Sequence, residues 1–196
     1  MKFGRTLFAV VAATALLGAL TATASAARLS SSSQTIRTTF ASMTFTGGFG
    51  TTTCALTLEG SFHARTITKT AGVLAGFITR AALGACATGS ATVLAATLPW
   101  HTRYASFSGT LPNITAINAT ISGAGWQIRE AVFGVTCLAG GGILSAAFNR
   151  EAGGGITSIA AGGRMPTSCG AEGTLSGTSN STTVLGAATR ITVTLI

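Results

Sequence analysis

The chain has 196 residues, 47% of them hydrophobic and only 8% charged, with twelve Lys and Arg against four Asp and Glu. That length suits one domain behind a short leader rather than a multidomain assembly. The formal net charge of +8 comes mostly from arginines scattered singly; with no cationic cluster or aromatic-interleaved stripe, it argues against a nucleic-acid partner and reads as solvated positions on alternating strands.

Lys2 and Arg5 precede an apolar run from Leu7 to Leu20, which ends in the small-x-small triplet Ala24-Ser25-Ala26. This is the pattern of a cleaved signal peptide over residues 1–26, leaving residues 27–196 as a single secreted domain. The run is shorter than the roughly 20 apolar residues that span a bilayer, so no transmembrane segment is expected in the mature chain. No cysteine follows the run until Cys54, which argues against a lipid-anchored cysteine.

Beyond Ser30–Ser33 the chain shows no sustained 3.6-residue apolar period. Short runs of Thr, Val, Ile and Phe alternate with glycine instead. In "TTTCALTLE", Thr52, Cys54, Leu56 and Leu58 share one face while Thr51, Thr53, Ala55, Thr57 and Glu59 take the other. "SFHARTITKT" follows Gly60 as its hairpin partner or continuation, and "ATVLAATL" before Pro99 reads as a central strand, apolar on both faces. Pro99 opens the next strand. There Trp100, Thr102, Tyr104 and Ser106 fall on one face, and His101, Arg103, Ala105 and Phe107 on the other.

"NITAINATIS", "GWQIREAVFG", "VTCLA", "GILSAAFN" and "GITSIAA" follow as further strands, and "ITVTLI" closes the chain. The closing run reads as a strand inside its own domain rather than a free edge that would polymerise. About ten strands at this spacing predict an all-β fold, a single-domain antiparallel β-sandwich in preference to a closed barrel.

Cys54, Cys86, Cys137 and Cys169 form an even set in an exported chain, which reads as disulfides. Three pairings are open. The equal 32-residue separations favour Cys54 with Cys86 and Cys137 with Cys169. His63 and His101 lie far apart in sequence and no C-x-x-C occurs, so neither a metal nor a cofactor is expected.

No nucleophile elbow, metalloprotease motif or phosphate loop is present, and Glu59, Glu130, Glu151 and Glu172 lack plausible catalytic partners, so no catalytic residue is assigned. The sequons at Asn113, Asn118 and Asn180 matter only in a host that glycosylates them. On its strand the Trp100 and Tyr104 face reads first as a core face, with His101 and Arg103 turned outward; Trp100, Tyr104 and Trp126 are the candidate binding surface if a pocket there opens to solvent.

The order of features, "TTTCALTLEGSF", "LGACATG", "LPW", "GVTCLAGG" and "SCGAEGTLSGT", resembles the small secreted bacterial proteins known as activators of alkane oxidation, some linked to adherence and biofilm matrix. That family carries four cysteines with Leu-Pro-Trp between the second and third. The resemblance implies an extracellular, non-catalytic protein acting at hydrophobic interfaces or in a matrix. The expected function is structural or adhesive at the bacterial cell surface, with self-association or cell-surface and matrix components as partners. The alternative is an extracellular binding module for an apolar small molecule or surface polymer.

Overall fold

The computed structural model describes residues 28–48 and 50–196. The segment read as a signal peptide lies outside the described residues, as does the expected first mature residue, Ala27. In chain order the strands are β1 Arg28–Ser31, β2 Thr35–Gly47, β3 Gly50–Phe62, β4 Thr66–Thr68 and β5 Leu74–Cys86. Next come β6 Ser90–Val93, β7 Trp100–Thr110, β8 Asn113–Ser122, β9 Gly125–Arg129 and β10 Thr136–Gly140. The last five are β11 Ile143–Arg150, β12 Ile156–Met165, β13 Gly173–Thr178, β14 Ser181–Val184 and β15 Val193–Leu195. A single 3-10 turn, Ala95–Thr97, is the one helical element among the described residues.

The fold is all-β and antiparallel, sandwich-like in that facing sheet layers share one core. Its main sheet has nine strands in the order β13-β12-β11-β8-β7-β5-β3-β2-β14, and β13 also pairs with β2. That last pairing joins the layers along both margins, so β2, β3, β5, β7, β8, β11, β12 and β13 form a continuous ring. Within the ring, neighbours in space are neighbours in sequence order, as hairpins and short excursions dictate.

Ring closure depends on a bend in β2. Residues Ile36 to Thr39 pair with β14, and Met43 to Thr46 pair with β13. The register against β3 shifts between Phe40 and Met43. The bend frees the Ala41 N–H, which donates to the Asn180 side-chain oxygen, while the Asn180 N–H donates to the Thr39 carbonyl at 2.8 Å. Asn180, which the sequence marked only as a sequon, thus stitches the two halves of β2 to the β13–β14 connection.

Strand alternation sorts the wall. Phe40, Met43 and Phe45 of β2 and Cys54 and Leu56 of β3 point inward and are buried. Outward, Thr174, Thr46 and Thr51 stand in one cross-strand row, and Ser176, Thr44 and Thr53 in the next. Their hydroxyls meet at 3.3 Å for Thr44 with Thr53 and 3.1 Å for Thr46 with Thr51. Such β-branched, hydroxylated positions suit a pleated surface facing water. They are not the continuous apolar band that a lipid-facing barrel carries. No helix among the described residues is long and apolar enough to cross a membrane.

Each end of the ring is covered by a three-stranded sheet. Connections at one end carry β6, β9 and β10, ordered β10-β9-β6; at the other, β1, β4 and β15 are ordered β15-β1-β4. The first plug buries Ala91, Trp126, Ile128, Cys137 and Ala139, and the second buries Leu29, Ile67 and Val193. Thus "ATVLAATL" is not one central strand. Its start is β6 of a plug, and at Leu94 the chain turns through Ala95–Thr97 to enter the ring wall at Trp100. The closing "ITVTLI" lies within the domain, with Ile191 and Val193 buried. Arg28 and Ile196 exchange backbone hydrogen bonds at 3.2 and 3.0 Å.

Both disulfides, Cys54–Cys86 and Cys137–Cys169, take the pairing that the equal spacing favours. They lie at the end plugged by β6, β9 and β10. Two disulfides fit an oxidising compartment.

At the opposite end β3 and β5 approach so closely that a Cβ on Gly60 would collide with the Phe77 carbonyl, and one on Gly76 with the Ser61 carbonyl. Both obstacles are backbone and cannot swing aside. Gly60→Ala is therefore expected to cost about 2 kcal/mol or more in urea unfolding. Gly153→Ala, with open space around its Cβ, should change stability by no more than about 0.5 kcal/mol. Equal effects from the two substitutions would refute the close-approach explanation.

Candidate functional site

The aromatic stretch that stood out in the sequence lies where β7 enters the wall. Trp100 packs on Trp126 of the plug, with ring centroids 5.0 Å apart and tilted 58°, and Phe45 meets Trp126 edge-on at 5.7 Å. Trp100 Nε1 donates to Thr97 Oγ1 at 2.9 Å, and Thr97 Oγ1 donates onward to the Leu94 carbonyl at 2.7 Å. Trp126 Nε1 is buried with no partner.

Trp100, Tyr104 and Trp126 are 1%, 4% and 0% exposed, and burial raises the Tyr104 phenol above its ordinary pKa. The three rings proposed as a binding surface therefore face the core and present nothing to a ligand in solution. The cause is the alternation of β7 together with the plug, which covers the only end at which the tryptophans could have been open.

His101 and Arg103 face outward, as alternation requires. The alternation then slips, because the β7–β8 register shifts between Tyr104 and Ser106. Ser106 turns out rather than in, where Asn118 Nδ2 donates to Ser106 Oγ at 3.0 Å and to Ser108 Oγ at 3.2 Å. Phe107 turns in and packs against the core. Nothing in the residue types of "RYASFSG" marks that slip.

Two small apolar cavities lie inside the ring. One of about 40 Å³ is lined by Thr38, Leu58, Ile78, Thr102 and Phe148 among others, and one of about 30 Å³ by Leu29, Tyr104 and Ile156 among others. Thr38 Oγ1, on the first, is buried without a partner. The first has room for about three or four waters at roughly 10–15 Å³ each, and neither approaches the roughly 150 Å³ that holds a benzene ring.

On the outer wall Arg37, Glu59 and Arg80 stand in register across β2, β3 and β5. Arg37 Nε and Nη2 donate to Glu59 Oε1 at 2.9 and 2.5 Å, and Arg80 Nη1 donates to Oε2 at 3.2 Å. The hydrogen bonds from Arg37 hold the Glu59 pKa below the usual carboxylate value against the opposing effect of burial, with Arg80 adding to the lowering.

A group whose folded pKa is lowered stabilises the fold above its unfolded pKa and loses that contribution as pH falls through the folded value. At neutral pH Glu59→Gln should cost about 1 kcal/mol, since both arginines are largely solvated. Urea melts of wild type and variant should converge as the solution is acidified below the ordinary carboxylate range. A gap that persists or widens there would exclude the ion pair as its cause.

The other arginines are not simply solvated, as their scatter suggested. Arg65 donates to the carbonyls of Ser31 and Ser32 at 3.2 and 2.8 Å, and Arg103 to that of Gly72 at 2.9 Å. Arg150 reaches the carbonyls of Val193 and Ile114 at 3.0 and 2.7 Å, tying the terminal plug to the wall, and burial lowers its pKa. With so few carboxylates in the chain, guanidinium groups bond to backbone carbonyls. His63 and His101, distant in sequence, meet Phe77 edge-on at 6.4 and 5.4 Å. Among the described residues no three of His, Cys, Asp and Glu gather in a way that could hold a metal.

The feature missed in the sequence is the tip of the β9–β10 hairpin. Val132 and Phe133 are 77% and 85% exposed. The Glu130 carboxylate accepts from the Val132 and Phe133 N–H groups, each at 2.6 Å, and these bonds, the Phe133 one foremost, lower its pKa. Gly134 completes the turn at φ 67°, with the Arg129 guanidinium beside it. "GWQIREAVFG" reads as one strand because its turn residues are apolar, and only Gly134 hinted at the reversal. No family model matches the chain, and no curated protein or solved structure matches it.

Proposed function

We propose that this is a secreted, non-catalytic structural or adhesive protein of the bacterial cell surface or extracellular matrix. The observation that carries the reading is the construction of the body: a continuous ring of strands, plugged at both ends, with the candidate aromatic rings sealed inside. A rigid body with a hydroxylated wall suits a component that must persist outside the cell. The two disulfides and the resemblance to secreted adherence and matrix proteins support the same compartment.

Cell fractionation with sizing of the native protein tests this. The expected result is accumulation in the supernatant or envelope, in an assembled or surface-bound fraction. Purely intracellular, monomeric material would defeat the proposal.

The second reading, an extracellular module for an apolar small molecule or surface polymer, draws on the two interior cavities and the unpartnered Thr38 hydroxyl. Their volumes weigh against it for any ligand of ring size. Titration with xenon, a probe smaller than any ring, decides: saturable binding altered by Thr38→Val would favour the module, and absence of binding would favour the scaffold.

A further inference from the structure

We infer that the β9–β10 hairpin tip, Val132 to Val135, seats in the headgroup layer of an anionic lipid bilayer. This goes beyond the structural or adhesive reading and does not rest on it, because the argument concerns the hairpin alone. Nine large apolar side chains are exposed among the described residues, and the two most exposed of them, Phe133 and Val132, stand together at the tip with Val135 beside them. Exposed apolar residues scattered singly need no explanation, but a concentration of them marks a contact surface.

The tip is also held in place. Glu130 binds both N–H groups at its crown, so Val132 and Phe133 are fixed pointing outward and do not fold back over the plug. Directly behind the crown the outer face of the plug is polar except for Leu138. Ser90, Arg129 and Thr136 form one cross-strand row, and Thr92, Gln127 and Leu138 the next.

Apolar side chains outermost, with a guanidinium and hydroxyls in the layer behind, is the layering of an element that lies in a bilayer interface: the apolar groups sink below the headgroups and the cation meets phosphate. A convex tip suits a fluid layer that deforms around it, whereas a rigid protein partner would need a matching groove. Charge selects the anionic surface. The described residues hold ten cationic side chains, the chain's twelve less Lys2 and Arg5, against four carboxylates. At this end Arg164 pairs with Glu172 at 3.4 Å, and Glu130 keeps its charge while accepting from its two N–H donors, so the attraction comes from the excess of cations over the whole body, with Arg129 the member nearest the tip.

Co-sedimentation of the purified protein with large vesicles is the test. One vesicle set is an equal mixture of phosphatidylglycerol and phosphatidylcholine, the other phosphatidylcholine alone. Wild type should pellet with the anionic vesicles only, and less so in high salt. Val132→Ser combined with Phe133→Ser should weaken that binding about tenfold or more, and Arg129→Gln about fivefold. All these side chains are exposed, so near-UV circular dichroism of each variant should overlay that of the wild type.

The inference is overturned if folded wild type stays in the supernatant or binds both vesicle types alike. It also fails if the double serine variant pellets like the wild type. A concentration-dependent dimer that forms without lipid and is lost in the serine variant would replace the bilayer with a second copy of the chain.

Discussion

Replacing all four cysteines by alanine should leave a chain that is largely unfolded at 37 °C. Each disulfide closes a loop spanning 32 residues. Cross-links of that span restrict the unfolded chain by about 4 kcal/mol each. Losing both removes a large share of the 5–15 kcal/mol that typically separates folded from unfolded domains. The two bridges act on different parts of the body, so their single removals should differ in kind.

Cys54–Cys86 joins β3 to β5 within the ring wall, and its loss should lower the urea midpoint with the transition still cooperative. Cys137–Cys169 fastens β10 of the plug to the segment between β12 and β13. Without it the plug should loosen first, with the near-ultraviolet signal of Trp100 and Trp126 fading before far-ultraviolet strand signal is lost. Coincident loss of both signals in Cys137→Ala/Cys169→Ala would refute a separately anchored plug. A midpoint unchanged by the quadruple substitution would refute the stabilising role altogether.

Trp126→Ala should be the most damaging single truncation in the core. The ring is fully buried between Phe45 and Trp100, so its removal leaves a void at the seam of plug and wall. Truncations of this size typically cost 3–5 kcal/mol, and here about 4 kcal/mol is expected in urea unfolding. Trp126→Phe makes the test specific. It keeps much of the aromatic packing and removes an indole N–H that has no acceptor, so part of the lost contact is offset by relief of an unsatisfied donor. Phenylalanine should therefore cost about 1–2 kcal/mol. If phenylalanine proves as costly as alanine, the indole N–H has an acceptor after all and the assignment is wrong.

The sequence carried the class of fold and the disulfide pairing for identifiable reasons. Alternation in "TTTCALTLE" is strict because one face of β3 is buried and the other is wet, and that contrast is local. Equal cysteine spacing reflects two loops of similar reach. Closure of the ring is a different matter. It needs β2 to change partner at Ala41 and Ser42, which depends on an Asn180 side chain some 140 residues away. No local pattern records such a contact.

Alternation places Trp100 and Tyr104 on a core face, and they are buried; whether a pocket could open onto Trp100, Tyr104 and Trp126 depends instead on the plug that covers them. The plug is assembled from β6, β9 and β10, which come from two separate connections. Phe107 was placed on the wrong face because a register slip at Ala105 leaves no trace in composition. The exposed tip at Phe133 went unnoticed because apolar residues in a turn look like strand.

The hydrogen bonds that Arg28 and Ile196 exchange carry a practical consequence. Since the first and last described residues already lie side by side, a short linker could join them, and the chain could be reopened elsewhere without changing which strands are neighbours. Within the β11–β12 connection the new ends could be placed at Gly153, which has open space around it, whereas Gly154 and Gly155 just beyond are buried. Such a circular permutant would keep the same ring while giving the polypeptide a different origin. The new ends would still lie at the terminal-plug end, where the Val193 N–H donates to the Gly154 carbonyl at 2.8 Å, so a fused reporter would be held opposite the hairpin crown and leave it free.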